Sequence, residues 1–336
     1  MKPKISVIMP VLNGERYIGE AIESIVAQTY RDYELIVVND GSTDGTCEQV
    51  NRFAERIPIK IIHHTSCQGI ARSINDGIRA SSGELIAFLD HDDLWFPNFL
   101  ETQFAYLQAH PDVGMVHSDF QTIDPTGEIL EASVSACRGR TRASGDVFPN
   151  LFMDSFIVGN SVLIRKECFE RLGLIDEVLR WGDYHMWLRI ARHYKVDYVA
   201  KVLTKYRQHP TQQTRDFSGE NPHDDSVGLK AIRSILELYP EVRQELGERV
   251  ICQRMAAMYF DMAYIWFAAG YGRNARIPLG KAIRLAPMTP RFYVLCAASF
   301  LQPSQAVMAQ KMWRAVRRVF SKSKTAEPSP ALANRG

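Results

Sequence analysis

Over its first 120 residues the chain alternates short apolar runs with amphipathic segments, and few folds tolerate that rhythm. Ile5–Met9 reads as a buried strand, and 15–28 as a helix with Ile18, Ile22, Ile25 and Val26 on one face. Strands are predicted over 33–38, 59–62, 85–89 and 113–117, with helices over 44–53, 69–80 and 96–109 between them. Strand–helix alternation at this spacing argues for an α/β fold, a mostly parallel sheet covered by helices on both faces. Such sheets bind ligands beyond the carboxyl ends of their strands. Polar clusters fall at those ends: Pro10 to Glu15, Asn39 to Asp44, and Asp90 to Asp93.

The rest of the chain is less uniform. Residues 120–160 are rich in Ser, Thr, Gly and Arg and read as hairpins and a loop. A strand over 161–164, helices over 166–172 and 183–193, and strands near 196–206 follow. The polar stretch 209–225 reads as a boundary, and beyond it the pattern is helical. The expected organisation is 1–215, then a helical region 216–322, then a disordered tail 323–336. Tyr259, Met262, Ala263, Trp266, Ala275, Leu279, Ala282 and Pro287 match the spacing of a tetratricopeptide-like unit; a generic helical hairpin is the other reading.

Composition narrows the class. With 46% hydrophobic and 23% charged residues, the chain is neither disordered nor a coiled coil. A net charge of +2 gives no basic stripe, so no nucleic-acid partner is expected. The six cysteines lack paired spacing, as in reduced thiols of a cytoplasmic protein. The apolar run before Pro10 is too short for a signal-peptide core, and no apolar stretch is long enough to span a membrane. Between Gln310 and Lys324 six basic residues interleave with Met312, Trp313, Val316, Val319 and Phe320. That segment suits peripheral contact with an anionic membrane face, or a solvated terminal helix.

Two clusters carry chemistry. In Phe88-Leu-Asp90-His-Asp92-Asp93, carboxylates one residue apart can converge through a turn on one hard cation. Mg²⁺ or Mn²⁺ held by few protein ligands keeps positions open for phosphate oxygens. A helix cap formed by Asp92 or Asp93 is the alternative. In Asn39 to Gly45, Gly41 and Gly45 permit a tight path, and Asp44 or Thr43 caps the next helix. Asp40 is then left to accept hydrogen bonds from a base or ribose, unless the segment is a structural Asx-turn.

The ordered series I-S-V-I-M-P-V-L-N-G-E-R-Y-I, A-I-E-S-I-V-A-Q-T-Y and E-L-I-V-V-N-D-G-S-T-D-G-T within 5–46 resembles the family 2 glycosyltransferases, whose catalytic domain has the GT-A fold. The resemblance continues through Gly69-Ile-Ala-Arg72-Ser-Ile-Asn75 and Gly83 to Asp93. It implies that Pro10, Val11, Asn13 and Glu15 line a nucleotide-sugar pocket. Asp40 would bond the base, and Arg72 would contact nucleotide or diphosphate. Asp90 would meet ribose and metal, with Asp92 the main metal ligand. Position 12 is Leu where many members carry an aromatic. The family's catalytic base lies in an acidic doublet opening a helix; the match is Trp181-Gly182-Asp183-Tyr-His-Met-Trp187-Leu-Arg189. Asp183 aligns with the base, while Gly182 stands where Glu is common. Asp183 as a helix N-cap is the competing reading, and Glu177 is the reserve base. Trp181 and Trp187 would stack on sugar or pack in the core. His209, in Tyr206-Arg-Gln-His209, would approach diphosphate or metal, or serve structure.

The resemblance therefore implies metal-dependent, inverting transfer of a sugar, from a UDP-sugar before other nucleotide donors, to a saccharide or lipid-linked glycan. Two rivals stand beside it. A nucleotidyltransferase would want a glycine-rich basic loop after the first strand, which Pro10 to Glu15 is not. A decayed scaffold using its helical region for partner binding would not need Asp40, Asp90, Asp92 and Asp183 intact.

Overall fold

The computed structural model describes residues 3–138, 143–179, 182–212 and 222–300. Trp181, the basic segment 310–324 and the expected tail 323–336 lie outside the described residues. The described strands are β1 (Ile5–Val11), β2 (Tyr33–Asn39), β3 (Ile59–His63), β4 (Leu85–Phe88), β5 (Leu94–Trp95), β6 (Val113–Ile123), β7 (Ile129–Glu131), β8 (Val162–Arg165) and β9 (Lys195–Arg207). The described helices up to β9 are α1 (Ile18–Val26), α2 (Thr46–Asn51), α3 (Ile70–Ala80), α4 (Phe99–Ala109), α5 (Val134–Arg138), α6 (Phe148–Met153), α7 (Lys166–Leu172) and α8 (Asp183–His193). They are followed by α9 (Val227–Leu238), α10 (Val242–Leu246), α11 (Glu248–Ala268), α12 (Gly272–Leu285) and α13 (Pro290–Ala298). These residues divide into two compact units, 3–212 with 227–246 and 222–226 with 247–300.

The first unit is built on one sheet of order β3-β2-β1-β4-β8-β6-β9-β5, with β7 paired to β6. β3, β2, β1 and β4 run parallel, as their apolar runs predict. Beyond β4 the sheet turns mixed: β8 is antiparallel to both β4 and β6, and β6 is parallel to β9. The strand segments expected near 196–206 form one 13-residue strand, accommodated by register shifts against β6. Every residue of β1 is buried, as a central strand covered on both faces requires. Ile18, Ile22 and Ile25 of α1 enter the core on one face, each burial contributing roughly 1.5–3 kcal/mol. Gln28 then latches the end of α1: its amide donates to Ser24 O and Phe96 O and accepts from Leu100 N.

The first four helices start one to three residues later than their periodicity predicts, and for α1 and α2 the reason is local. Asn13 adopts a left-handed backbone (φ 53), and Gly14 O accepts from Tyr17 N and Ile18 N, so residues 13–17 form a turn ahead of α1. The N-cap of α2 is Gly45, with no side-chain cap; Asp44, one residue before it, accepts from the amide and the hydroxyl of Thr46 and so braces the turn ahead of the helix.

In the second unit α11 and α12 form a helical hairpin followed by α13. Of the positions in the repeat-like spacing, Tyr259, Met262 and Ala263 of α11 and Ala275, Leu279 and Ala282 of α12 are buried, whereas Trp266 is half-buried and Pro287 exposed. Among the described residues no helix is long and apolar enough to cross a membrane.

Candidate active site

The carboxyl ends of β1, β2 and β4, with the end of β9 and the start of α8, carry the polar residues. The loop after β1 is zipped to the loop after β2. Asn13 N donates to Ser42 Oγ at 2.9 Å and Asn13 Oδ1 accepts from Thr43 N at 2.9 Å. Glu15 N donates to Asp44 Oδ2, and Glu15 Oε2 accepts from Gly45 N, each at 3.1 Å. Pro10 and Val11 end β1 in the buried floor beneath this ladder. Gly14 is required by close approach: a Cβ there would lie 2.5 Å from Val11 Cγ2 and 2.6 Å from His91 Cδ2.

Asp40 turns inward. Its carboxylate accepts from His64 Nδ1 at 2.7 Å, from Gln68 N and Gly69 N at 2.8 Å each, and from Cys67 Sγ at 3.2 Å. Burial works against its charge, but these donors outweigh it and hold the carboxyl below the usual range. Asp40 thereby fastens β2 to the loop that opens α3, where Gly69 takes φ 95. His64 Nε2 also faces Asp76 Oδ2 at 3.1 Å. Arg72 bonds Asp76 at 3.1 Å and reaches Glu177 at 3.5 Å. Glu177 also accepts from Asn75 Nδ2 at 2.9 Å. Asn75 further bonds Ile175 through both its amide nitrogen and its oxygen, so α3 holds the segment that leads into α8.

At the end of β4, Asp90, Asp92 and Asp93 each offer a carboxylate oxygen, all within 4.8 Å of one another. Their surroundings differ. Asp93 is buried and saturated, accepting from Asn160 Nδ2 at 2.5 Å and Arg207 N at 2.8 Å. Burial, with the neighbouring charges of Asp92 and Asp90, raises its pKa above the usual carboxylate range. Asp92 Oδ2 lies 2.9 Å from His209 Nε2. Burial pushes Asp92 up, yet the His209 contact and the adjacent imidazoles hold it below its ordinary value. Neither residue caps a helix. Among the described residues no hydrogen-bond donor reaches the Asp90 side chain, and burial, then Asp92 and Asp183, push its pKa up to about 7. A hard cation beside these oxygens would reverse that shift, so the donor set fits a divalent ion of the Mg²⁺ or Mn²⁺ type.

Behind the acids stands Arg207, 1% exposed. Its guanidinium donates to Asp92 O at 2.9 Å, Pro125 O at 3.3 Å and Glu20 Oε2 at 2.7 Å, and lies 4.6 Å from the Tyr17 ring centroid. The Tyr17 ring also faces His209, with centroids 5.2 Å apart. Arg207, Tyr17, Glu20 and Asn160 were not singled out from sequence. Arg207 had a local signal, sitting inside the Tyr206 to His209 motif; Asn160 had none.

Asp183 is the first residue of α8. One carboxylate oxygen accepts from Tyr184 N at 2.7 Å, and the other has no partner among the described residues. Burial pushes its pKa up to about 6. Gly182 before it is confined, because a Cβ there would fall on Ile175 Cγ2 and lie 3.0 Å from Asp176 O. That contact accounts for the missing acidic neighbour. Trp187 is a core residue, its ring 6.3 Å from Phe88, and His185 is buried with its pKa pushed down to about 4 by desolvation, then Arg189.

The Glycosyl transferase family 2 profile matches residues 6–173, half of the chain. An uncharacterized glycosyltransferase of Rickettsia typhi is 35% identical over 216 residues. That match covers 63% of this chain and 66% of that protein, so the chain spans just under two thirds of the relative. The structure of S. aureus TarS 1-349 in complex with UDP-GlcNAc superposes with a TM-score of 0.57 at 14% identity, covering 88% of this chain and 91% of that one. The mannosyltransferase PcManGT from Pyrobaculum calidifontis, in complex with GDP-Man and Mn²⁺, gives 0.56 at 19% identity, covering 96% and 84%. At these identities the likeness to both is one of fold.

Proposed function

Because the chain belongs to glycosyl transferase family 2 and is a glycosyltransferase of the GT-A fold, we propose that it moves a sugar from a nucleoside diphosphate donor, a UDP-sugar before others, to a saccharide or lipid-linked glycan. Inversion at the anomeric carbon and a divalent cation at Asp90 and Asp92 are part of this reading. The observation that carries it is the convergence of Asp90 and Asp92 at the end of β4, with Asp183 near enough for its charge to bear on Asp90. The acceptor class, and a place in cell-surface polysaccharide assembly, rest on the family.

In this reading each site residue has a role that the geometry supports. Pro10, Val11, Asn13 and Glu15 form the rigid wall of the nucleotide pocket. Asp40 shapes its base end by holding the 64–69 loop, and the base meets that carboxylate edge in competition with the donors already there. Arg72, half-exposed, swings from Glu177 toward the diphosphate. Asp90 and Asp92 would hold the cation, with His209 at the flank of Asp92. When bound, Mg²⁺ or Mn²⁺ neutralises charge that develops on the departing diphosphate. The Asp183 oxygen without a partner among the described residues takes the proton from the acceptor hydroxyl. The acceptor oxygen forms its bond to the anomeric carbon as the bond to the diphosphate oxygen breaks on the opposite face. Glu177, tied to Arg72 and Asn75, is placed to hold the loop rather than to act as the base. Residues 1–215 would supply this chemistry, and 216–322 would serve acceptor or partner binding at the inner face of a membrane. The basic run 310–324 is proposed as a peripheral membrane contact.

Calorimetric titration with UDP, GDP, dTDP and CDP, each with Mn²⁺ and with EDTA, tests the reading. One nucleotide binding only with metal is the expected result. Binding that is equally strong in EDTA would remove the cation from the site, and binding of none would return the scaffold reading.

A further inference from the structure

From Met262 to Ala326 the sequence holds no aspartate or glutamate, while Arg273, Arg276, Lys281, Arg284 and Arg291 fall on α12 and α13. Three of these cations work inside the unit: Arg291 lies over the Phe260 and Phe292 rings, 4.9 and 5.5 Å from their centroids. Arg276 donates to Ser299 Oγ and Ser299 O and lies over the Phe300 ring. Lys281 donates to His223 O and pairs with Asp225. Arg273, Arg284 and Arg291 are exposed and form no ion pair among the described residues. Arg284 and Arg291 flank the connection between the two helices, and Met288 at its tip is 92% exposed. Val294 (52%) and Tyr293 (48%) follow in the first turns of α13. The Tyr293 hydroxyl donates to Pro287 O at 2.9 Å, which braces the connection.

A single exposed apolar side chain is ordinary. A methionine at a braced tip, next to an exposed valine and between two exposed arginines, in a stretch free of acids, is amphipathic in a specific sense. It offers apolar groups to insert and cations to meet phosphates. We propose that the α12–α13 turn is a docking surface for an anionic lipid bilayer. Met288 and Val294 enter the headgroup boundary while Arg284 and Arg291 pair with lipid phosphates. A polyanion such as nucleic acid would use the arginines but offers nothing to the protruding apolar groups. The proposal is independent of the glycosyl-transfer reading, since none of these residues belongs to the cluster around Asp90, Asp92 and Asp183. It is also distinct from contact through 310–324.

The test is co-sedimentation of the full chain with phosphatidylcholine vesicles, with and without phosphatidylglycerol. The expected result is binding only to the anionic vesicles, weakening as salt is added. Each basic residue near such a surface is worth about fivefold in partitioning, so Arg284→Glu with Arg291→Glu should lower it by more than about tenfold. Met288→Ser should weaken binding at unchanged charge, with nucleotide binding and far-ultraviolet circular dichroism as in the parent. Arg314→Glu with Arg317→Glu is the companion variant. Undiminished binding by the 284/291 variant, with loss confined to the 314/317 variant, would overturn the proposal. So would failure to bind anionic vesicles while DNA or heparin is retained.

Discussion

Asp183 opens a helix with one carboxylate oxygen unpartnered among the described residues, and its response to pH follows from that. With its pKa pushed up to about 6, it is neutral at lower pH and cannot accept a proton. The profile of kcat/KM should therefore rise as pH increases through about 6 and level above it. Asp183→Asn should erase that limb and cut kcat by ~10²–10⁴ while donor binding stays intact. A full-rate variant would move the base elsewhere. Asp92→Ala should abolish metal-dependent nucleotide binding, read by the same calorimetry. Asp90, Asp92 and Asp183 stand out in the sequence because each sits in a short motif. What distinguishes the three acids of the cluster was not legible. Asp93 is saturated by Asn160 and Arg207, and Asp92 meets His209, partners from 67 to 117 residues away. No spacing rule links positions so distant, and Asp40 likewise revealed its donors on the 64–69 loop only once the strands were in register.

At the scale of elements, the start of α8 and the end of β9 carry the tightest constraints. A side chain at position 182 would press on Ile175 and the Asp176 carbonyl. Gly182→Ala should lower stability by about 1–3 kcal/mol, the usual cost of overpacking, and shift the Asp183 turn enough to reduce turnover. Thermal unfolding alongside a transfer assay would read both, and an unchanged Tm would mean the 175–176 segment yields freely. Arg207 serves three acceptors with one planar fork. Arg207→Met should cost about 1–3 kcal/mol by stranding the partly buried carbonyls of Asp92 and Pro125. Arg207→Lys should recover little, because a point charge cannot reach all three. The parallel half of the sheet was readable from apolar runs alone. The antiparallel entry of β8 was not, since a four-residue strand has no directional signal.

At the scale of the whole molecule the described residues form two compact units, and the candidate site lies in the first. Calorimetric unfolding should accordingly depart from a single two-state transition. Nucleoside diphosphate with Mn²⁺ at about 100 times Kd should raise the first unit's stability by about 2.7 kcal/mol and leave the second unchanged. A uniform shift of the whole profile would mean the units unfold as one. The long span between the acids and their partners has a temporal side as well. Chains grow on the ribosome at about 5–20 residues per second. After Asp93 is made, several seconds or more pass before Arg207 and His209 emerge. The strands β1 to β4 can pair in that interval, but the acidic cluster they carry must wait, charged and unaccompanied, for the last strand of its sheet. The partners of the acidic cluster thus arrive with the last strand of the sheet, and a chain stalled before residue 207 would pair β1 to β4 around repelling carboxylates.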